Sequence, residues 1–351
     1  MGKKSGVIIF LILIMSPFFL SSAPAETNKR VFIIHSYEKN HPCGQPQHEG
    51  AVSAMAMNGW EKGKNLDIET FYMETKVKHN TPELIQSQAK KILAKIKETR
   101  PDLLITLDDN AFRTIGLELA RTDLPVVFSG INVQPETYNK TRPFMNNRET
   151  PGYNITGVYE KLHIREAVTV LSNMLDLDTL LVLTDLSPTG RAISDQIELE
   201  TSPSSWNSPP CTIQSRTLKS WEEFKKAIEI MNQDAKIDAF YLGTTLLKDR
   251  CGNAYSAGDI VDYTIKHAIK PSLAINYAFT RMGLFGGASI DFFAMGIQAG
   301  KKAGEVLNGS PPGAIPIEDA HRISLVFNLS RAEALGIKIP RDILLSADEV
   351  Y

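Results

Sequence analysis

Apolar positions along the chain fall into short continuous runs separated by longer stretches of helical period. Residues 31–34 form a β-branched and aromatic run that predicts a buried parallel strand. A helix is expected from about 47 to 60, and an alternating strand over 66–72. Thr81-Pro82-Glu83 is a helix start, with a hydroxyl cap, proline in the first turn and an acid near the positive end of the dipole. That helix runs to about 98, with Leu84, Ile85, Ala89, Ile92, Leu93 and Ile96 on one face, and Pro101 ends it. Strands are expected over 102–107 and 125–129, with a helix from about Asn110 between them. Over 132–154 the periodicity vanishes into Asn, Thr, Arg and Pro. This predicts a long loop and a first crossing, followed by a hinge strand at 154–158.

A second set of alternating units follows. Helices are expected over 163–174, 189–200, 220–232 and 257–269, and strands over 180–184, 211–215, 237–242 and 272–275. Such alternation predicts an α/β protein with parallel sheets, flanking helices and right-handed crossovers. The helix over 290–307 carries Gly296, Gly300 and Gly304 on one side, beside Ala299 and Ala303. Glycine costs a helix about 1 kcal/mol relative to alanine. The smooth strip therefore implies a close neighbour, either inside its own lobe or across a lobe–lobe or dimer contact.

The start of the chain reads differently. Lys3 and Lys4 precede an apolar stretch over 7–20, and Ala23-Pro-Ala25 is a small-x-small site. This is the pattern of a cleavable export signal, with the mature chain starting at Glu26. An uncleaved anchor is the alternative, although the stretch is shorter than the ~20 residues that span a bilayer. Export predicts a periplasmic location. Loss of residues 1–25 removes two lysines and no acid, which takes the formal charge from −2 to −4. That balance gives no footing for nucleic acid. Cys43, Cys211 and Cys251 allow one disulfide in an oxidising compartment, and Cys211–Cys251 is the favoured pair because both fall in the second set.

Open parallel sheets bind ligands beyond the carboxyl ends of their strands. The tips expected there are Ser36 and Tyr37, Asp108 to Asn110, Ser129 to Asn132, Asp185 with Ser187, Thr244, and Asn276 with Tyr277. These are short polar groups ahead of helices, each also able to serve as an ordinary cap. Helix N-termini suit a carboxylate, Asp108, Asp109 and Asp185 suit an amine or a hydroxyl-rich ligand, and the tyrosines suit a ring. No nucleophile elbow, paired-histidine zinc motif or phosphate loop is present, so no catalysis is expected and no cofactor is implied. A competing reading is a metal carrier or enzyme, because His35, His41, Cys43 and His48 fall close together with Glu49.

Four segments carry a resemblance: Leu124-Pro-Val-Val-Phe-Ser-Gly-Ile-Asn132, Asn154-Ile-Thr-Gly-Val158, the glycine strip running to Gly309, and Asn328-Leu-Ser-Arg-Ala-Glu-Ala-Leu-Gly-Ile-Lys-Ile-Pro340 with Ala347-Asp348. In this order they resemble the substrate-binding proteins of ABC transporters that have the type I periplasmic-binding-protein fold and include tryptophan/tyrosine-binding members. The resemblance implies two Rossmann-like lobes, a three-segment hinge and capture of an amino acid or small carboxylate-like ligand for an ABC permease. It implies an N-terminal lobe of 26–155 plus 277–318 and a C-terminal lobe of 156–276 plus 319–351. By position it implies ligand contacts at Ser36, Tyr37, Asp109, Asn110, Ser129, Gly130, Asp185, Thr244, Asn276 and Asp291. A monomer is expected, with a dimer left open. The stretch from His35 to Pro42 looks more like a subgroup related to bacterial extracellular sensor regions. A ligand-sensing module working with a membrane histidine kinase is therefore the alternative to transport.

Overall fold

The computed structural model describes Gly2 and residues 28–351 apart from Thr245. The export signal expected over 1–25 thus lies, but for Gly2, outside the described residues. The chain builds β1 (Lys29–His35), α1 (Gly44–Met57), β2 (Leu66–Tyr72), α2 (Pro82–Thr99), β3 (Leu103–Leu107), α3 (Asp108–Ala111), β4 (Val126–Ile131), α4 (Pro135–Thr141) and β5 (Ile155–Tyr159). It continues through α5 (Ile164–Ser172), β6 (Thr179–Asp185), α6 (Pro188–Thr201), β7 (Thr212–Leu218), α7 (Trp221–Gln233), β8 (Ala239–Leu242), β9 (Leu246–Lys248), β10 (Ala254–Ser256), α8 (Ala257–His267), β11 (Ser272–Ala274) and α9 (Tyr277–Arg281). It closes with β12 (Gly286–Ile290), α10 (Phe292–Leu307), β13 (Glu318–Asp319), β14 (Ile323–Phe327), α11 (Leu329–Ala334), α12 (Arg341–Ser346) and β15 (Glu349–Val350).

The first sheet has the order β13-β5-β4-β3-β1-β2 and is parallel throughout. Val31 to Ile34 of β1 and Leu103 to Ile105 of β3 are fully buried, as strands covered on both faces require. The second set has the parallel order β11-β8-β6-β7. A smaller sheet, β12-β14-β15, continues it through a bridge between Asn276 and Ile290. Here β12 and β14 run antiparallel, as do β9 and β10 in a separate two-stranded sheet, against the otherwise parallel pattern.

The chain passes between the two sets at three places: after β5, between β12 and α10, and between β13 and β14. These crossings lie side by side. Ala320 donates its N–H to the Tyr159 carbonyl at 2.7 Å, and Asp291 donates to the Arg322 carbonyl at 3.3 Å. The segment expected as a loop contains α4, whose start carries Pro135 and Glu136, the same proline-and-acid pattern that marks α2. The segment expected as a hinge strand is β5, an interior strand of the first sheet.

The glycine strip of α10 packs against α1, within one lobe. A β-carbon on Gly296 would lie 2.2 Å from the Gln47 carbonyl oxygen, and one on Gly300 2.4 Å from that of Ala51. Gly50 of α1 answers in kind, 2.2 Å from the Phe293 carbonyl. Two backbones this close leave no room for side chains, so the strip is an internal seam.

The favoured disulfide does not form. Cys43, Cys211 and Cys251 are all free thiols. Cys211 stands just before β7, whereas Cys251 lies between β9 and β10, an excursion from the carboxyl end of β8. Because β7 and β8 run in the same direction, the two thiols sit at opposite ends of the lobe.

Candidate functional site

Carboxyl ends of strands from both sets converge on a shared cleft. Its outer part, a cavity of about 280 Å³, is lined by Thr75, Lys76, Asp109 and Asn110 from the first set and by Asp185 to Thr189 and Leu246 to Lys248 from the second. A deeper space of about 20 Å³ lies among Tyr37, His41, Cys43, Lys76, Asp108, Asn132, Glu160, Thr189, Ile193 and Ile275. The two sets touch across it. Asn276 points its amide nitrogen at the Cys43 sulfur at 3.6 Å, and Lys248 donates to Asn80 Oδ1 at 3.3 Å.

Asp108 starts α3 at φ +66°, a left-handed conformation that aspartate tolerates better than most residues. It is buried and receives one hydrogen bond, from Gln47 Nε2 to Oδ1 at 3.1 Å. Among the described residues its other oxygen has no hydrogen-bond partner. Burial, opposed by the Gln47 hydrogen bond and reinforced by the neighbouring Asp109, raises the Asp108 carboxyl to about 8. Glu160 follows β5 and is 3 % exposed. Burial and then the charge of Asp108 push it well above the usual carboxylate range. His35 and His41 are both lowered to about 3, chiefly by burial. Both rings are therefore neutral at ordinary pH.

Among the expected contacts, Tyr37, Asp109, Asn110 and Asp185 line the cleft. Tyr37 lies under Lys76, whose Nζ is 4.8 Å from the ring centre. Asp109 spends both oxygens within its own lobe: Oδ2 accepts from the Asn132 N–H at 3.0 Å, and Oδ1 from the Val133 N–H at 3.3 Å and the Tyr138 hydroxyl at 2.7 Å. Asn110 donates to Thr75 Oγ1 at 2.9 Å. Asp185 accepts from the Ser187 N–H at 2.8 Å and the Leu246 N–H at 3.4 Å.

The remaining expected contacts are placed otherwise. Ser36 donates to the Leu107 carbonyl at 2.7 Å and accepts from the Ala111 N–H at 2.8 Å, tying β1 to β3 and α3. Ser129 donates to Gln47 Oε1 at 2.7 Å. Gly130 has φ +75°, and a β-carbon there would lie 2.6 Å from that same Gln47 oxygen. Thr244 donates to the Leu183 carbonyl at 3.1 Å. Asn276 caps α9 through the Ala278 N–H at 2.8 Å. Asp291 caps α10, accepts from Ser324 at 3.0 Å and pairs with Arg322 at 3.4 Å, beside a crossing rather than in the cleft.

Cleft residues that the tip-by-tip reading passed over are Lys76, Glu160 and Thr189, together with Gln47, which braces the floor. Lys76 and Glu160 follow β2 and β5, so the same carboxyl-end rule, applied to those strands, points to them. The metal reading does not fit the geometry. His35 Nε2 and His48 Nδ1 lie 3.0 Å apart and share a hydrogen bond, while Cys43 turns towards Asn276. Among the described residues no three His, Cys, Asp or Glu side chains group as a metal site.

Two parallel α/β lobes, joined by three crossings and facing each other across a polar cleft, define a two-lobed binding protein. A structure from Vibrio cholerae described as a conserved domain protein has TM-score 0.70 and 21% identity, over 93% of this chain and 100% of that one. An ABC domain in complex with L-Trp from Streptococcus pneumonia gives the same TM-score of 0.70 and 21% identity, over 93% and 100%. A ligand-free, open substrate-binding protein with adhesive properties from Clostridium difficile gives TM-score 0.64 and 18% identity, over 92% and 99%. At these identities the likeness is one of fold. A search among curated proteins returns no match. The family model for ABC transporter substrate-binding proteins matches residues 39–351, and the chain belongs to that family. No helix among the described residues is long and apolar enough to cross a membrane.

Proposed function

We propose that this protein is an exported solute receptor that captures an amino acid or small carboxylate-like ligand between its lobes and delivers it to an ABC permease. The observation that carries this reading is the cleft itself: groups from both sheet sets line one polar cavity. In this reading the bounds move from those the resemblance implies, because β12 pairs with β14 and so carries 277–289 into the second lobe: the first lobe is residues 28–159 plus 292–319 and the second is 162–289 plus 323–351. The crossings at 160–161, 290–291 and 320–322 act as the hinge, and closure on the ligand is a rigid-body motion about them. Tyr37, Asn110, Lys76 and Thr189 contact the ligand directly. Asp109 and Asp185 shape the two walls.

A thermal-shift screen of amino acids and small organic acids tests the binding step. Ligand at 100 times its dissociation constant adds about 2.7 kcal/mol, an upward shift of several degrees. Absence of any stabilising solute would end the reading. Uptake of a labelled hit by cells with and without the protein then tests delivery. Equal uptake in both would remove the permease step and leave binding intact.

A further inference from the structure

The deep end of the cleft narrows the ligand class. Its space of about 20 Å³ admits one water-sized group. Asp108 lines that space, is 2 % exposed, and among the described residues keeps one carboxyl oxygen without a hydrogen-bond partner. A buried polar atom left unmatched costs about 1–3 kcal/mol, so a donor arriving there regains that loss. Glu160, 3 % exposed, stands on the same lining.

Charge decides which donor fits. The small space is faced by two acids, Asp108 and Glu160, and one cation, Lys76. His41 is neutral near pH 7, and the Tyr37 hydroxyl and Cys43 thiol are pushed upward, so they are uncharged too. Burial favours the protonated form of both carboxyls in the empty cleft; an ammonium arriving against them favours their ionised form and is matched by the carboxylate it faces. An anion placed there would hold both acids neutral and gain no such partner. The outer cleft has the opposite balance. Its acids, Asp109 and Asp185, accept backbone N–H groups of their own lobes, while Lys219 and Lys248 stand at its rim. Lys76 and Thr189 line both spaces.

We propose that the ligand carries a protonated amine, which enters the small space against Asp108 and Glu160, and that its body extends through the outer cleft with any anionic end towards Lys219 and Lys248. This rests on the solute-receptor reading. Between an amino acid and a plain carboxylate, it selects the amine-bearing class.

The test is a thermal-shift and calorimetric panel on the full mature chain. It comprises the proteinogenic amino acids, 5-aminopentanoate, putrescine and pentylamine, the matching deaminated acids including pentanoate, and neutral sugars such as ribose. The expected result is binding confined to amine-bearing members. Asp108→Asn and Glu160→Gln, each checked for native circular dichroism, weaken the best amine at least tenfold. Lys219→Ala with Lys248→Ala weakens zwitterions more than simple amines. Binding of a deaminated acid or a sugar with equal strength overturns the amine assignment while sparing the receptor reading. Unchanged amine affinity in both carboxylate variants also overturns it. A panel without any hit removes the receptor reading, and this assignment with it.

Discussion

The first lobe brings Lys76, Asp108 and Asp109 to the cleft, with Glu160 at the crossing that leaves it, all of them buried, whereas the second brings mostly hydroxyl and aliphatic groups, among them Ser187, Thr189, Ile193, Ile275 and Leu247. The second lobe's acid, Asp185, is held by backbone N–H groups on its own side. Burial makes charge expensive, and it is tolerated where hydrogen bonds or a guest compensate it. The difference is a division of labour: the first lobe supplies the buried acids that meet a positive group, and the second covers it and brings its lysines, Lys219 and Lys248, only to the rim. A hydroxyl-and-aliphatic cover loses little when the cleft opens, because water satisfies a hydroxyl readily.

The largest expected effect that tests this comparison is Asp109→Ala. It strands two backbone N–H groups and the Tyr138 hydroxyl in a buried setting. Unmatched groups of this kind cost about 1–3 kcal/mol each, so a loss of about 3 kcal/mol in the ligand-free protein is expected, read by urea unfolding. Asp185→Ala should cost less than half of that. Equal losses would erase the asymmetry.

Next comes Asp108→Asn. The Asp108 carboxyl lies at about 8 in the fold, against its ordinary 3.8. Stability tied to it is therefore complete below about pH 4 and is lost as pH rises towards 8. Gln47, Tyr37, Cys43, Asp109, Lys76 and Glu160 all face it or act on it, and the variant removes the titration without moving them. The variant should be more stable than the parent by about 2 kcal/mol at pH 8, with the gap closing towards pH 4. A constant gap across that range would show that Asp108 does not titrate within it.

The histidines give the opposite slope. His41 is lowered to about 3 from 6.5, so its contribution is present above pH 6.5 and is lost as pH falls towards 3. His41→Gln should flatten the acid limb of the stability profile by about 1 kcal/mol between pH 6.5 and 5. An unchanged limb would place the acid sensitivity elsewhere. The smallest effect is expected from Thr189→Val on the second lobe's wall. Ligand-free stability should shift by under about 0.5 kcal/mol, while calorimetry shows weaker ligand binding. A large ligand-free loss would mean that the second lobe is as structurally committed to the cleft as the first.

Much of this architecture is legible in the chain. Strand β2 lies at 66–72 as its alternation predicts, and Thr81-Pro82-Glu83 starts α2 with Thr81 accepting from the Leu84 N–H. The short strands β12 to β15 were not legible. Gly286 and Gly287 give β12 no apolar period, and β13 and β15 are two residues each. The lining of the candidate cleft was half legible. Tyr37, Asn110 and Asp185 follow from the rule that ligands sit beyond strand ends. Ser36, Ser129 and Thr244 follow the same rule but spend their hydroxyls on neighbouring carbonyls or on Gln47. A residue's place at a strand tip is local, whereas the direction of its side chain depends on what packs beside it.

What the sequence determined by itself is the order of strands and helices, because hydrophobic period and cap chemistry act over a few residues. The close approach demanded by Gly296, Gly300 and Gly304 was also written there. Its partner was not, since α1 lies far away along the chain and only the packed lobe brings the two together. The tertiary structure likewise chose which acid would be left without a donor. Asp108 and Asp109 are adjacent in sequence, yet one is saturated by Asn132, Val133 and Tyr138 while the other keeps a bare oxygen. Hydrogen-bond saturation is a property of the assembled surroundings, and those arrive from separate stretches of chain, around Gln47, Asn132 and Tyr138.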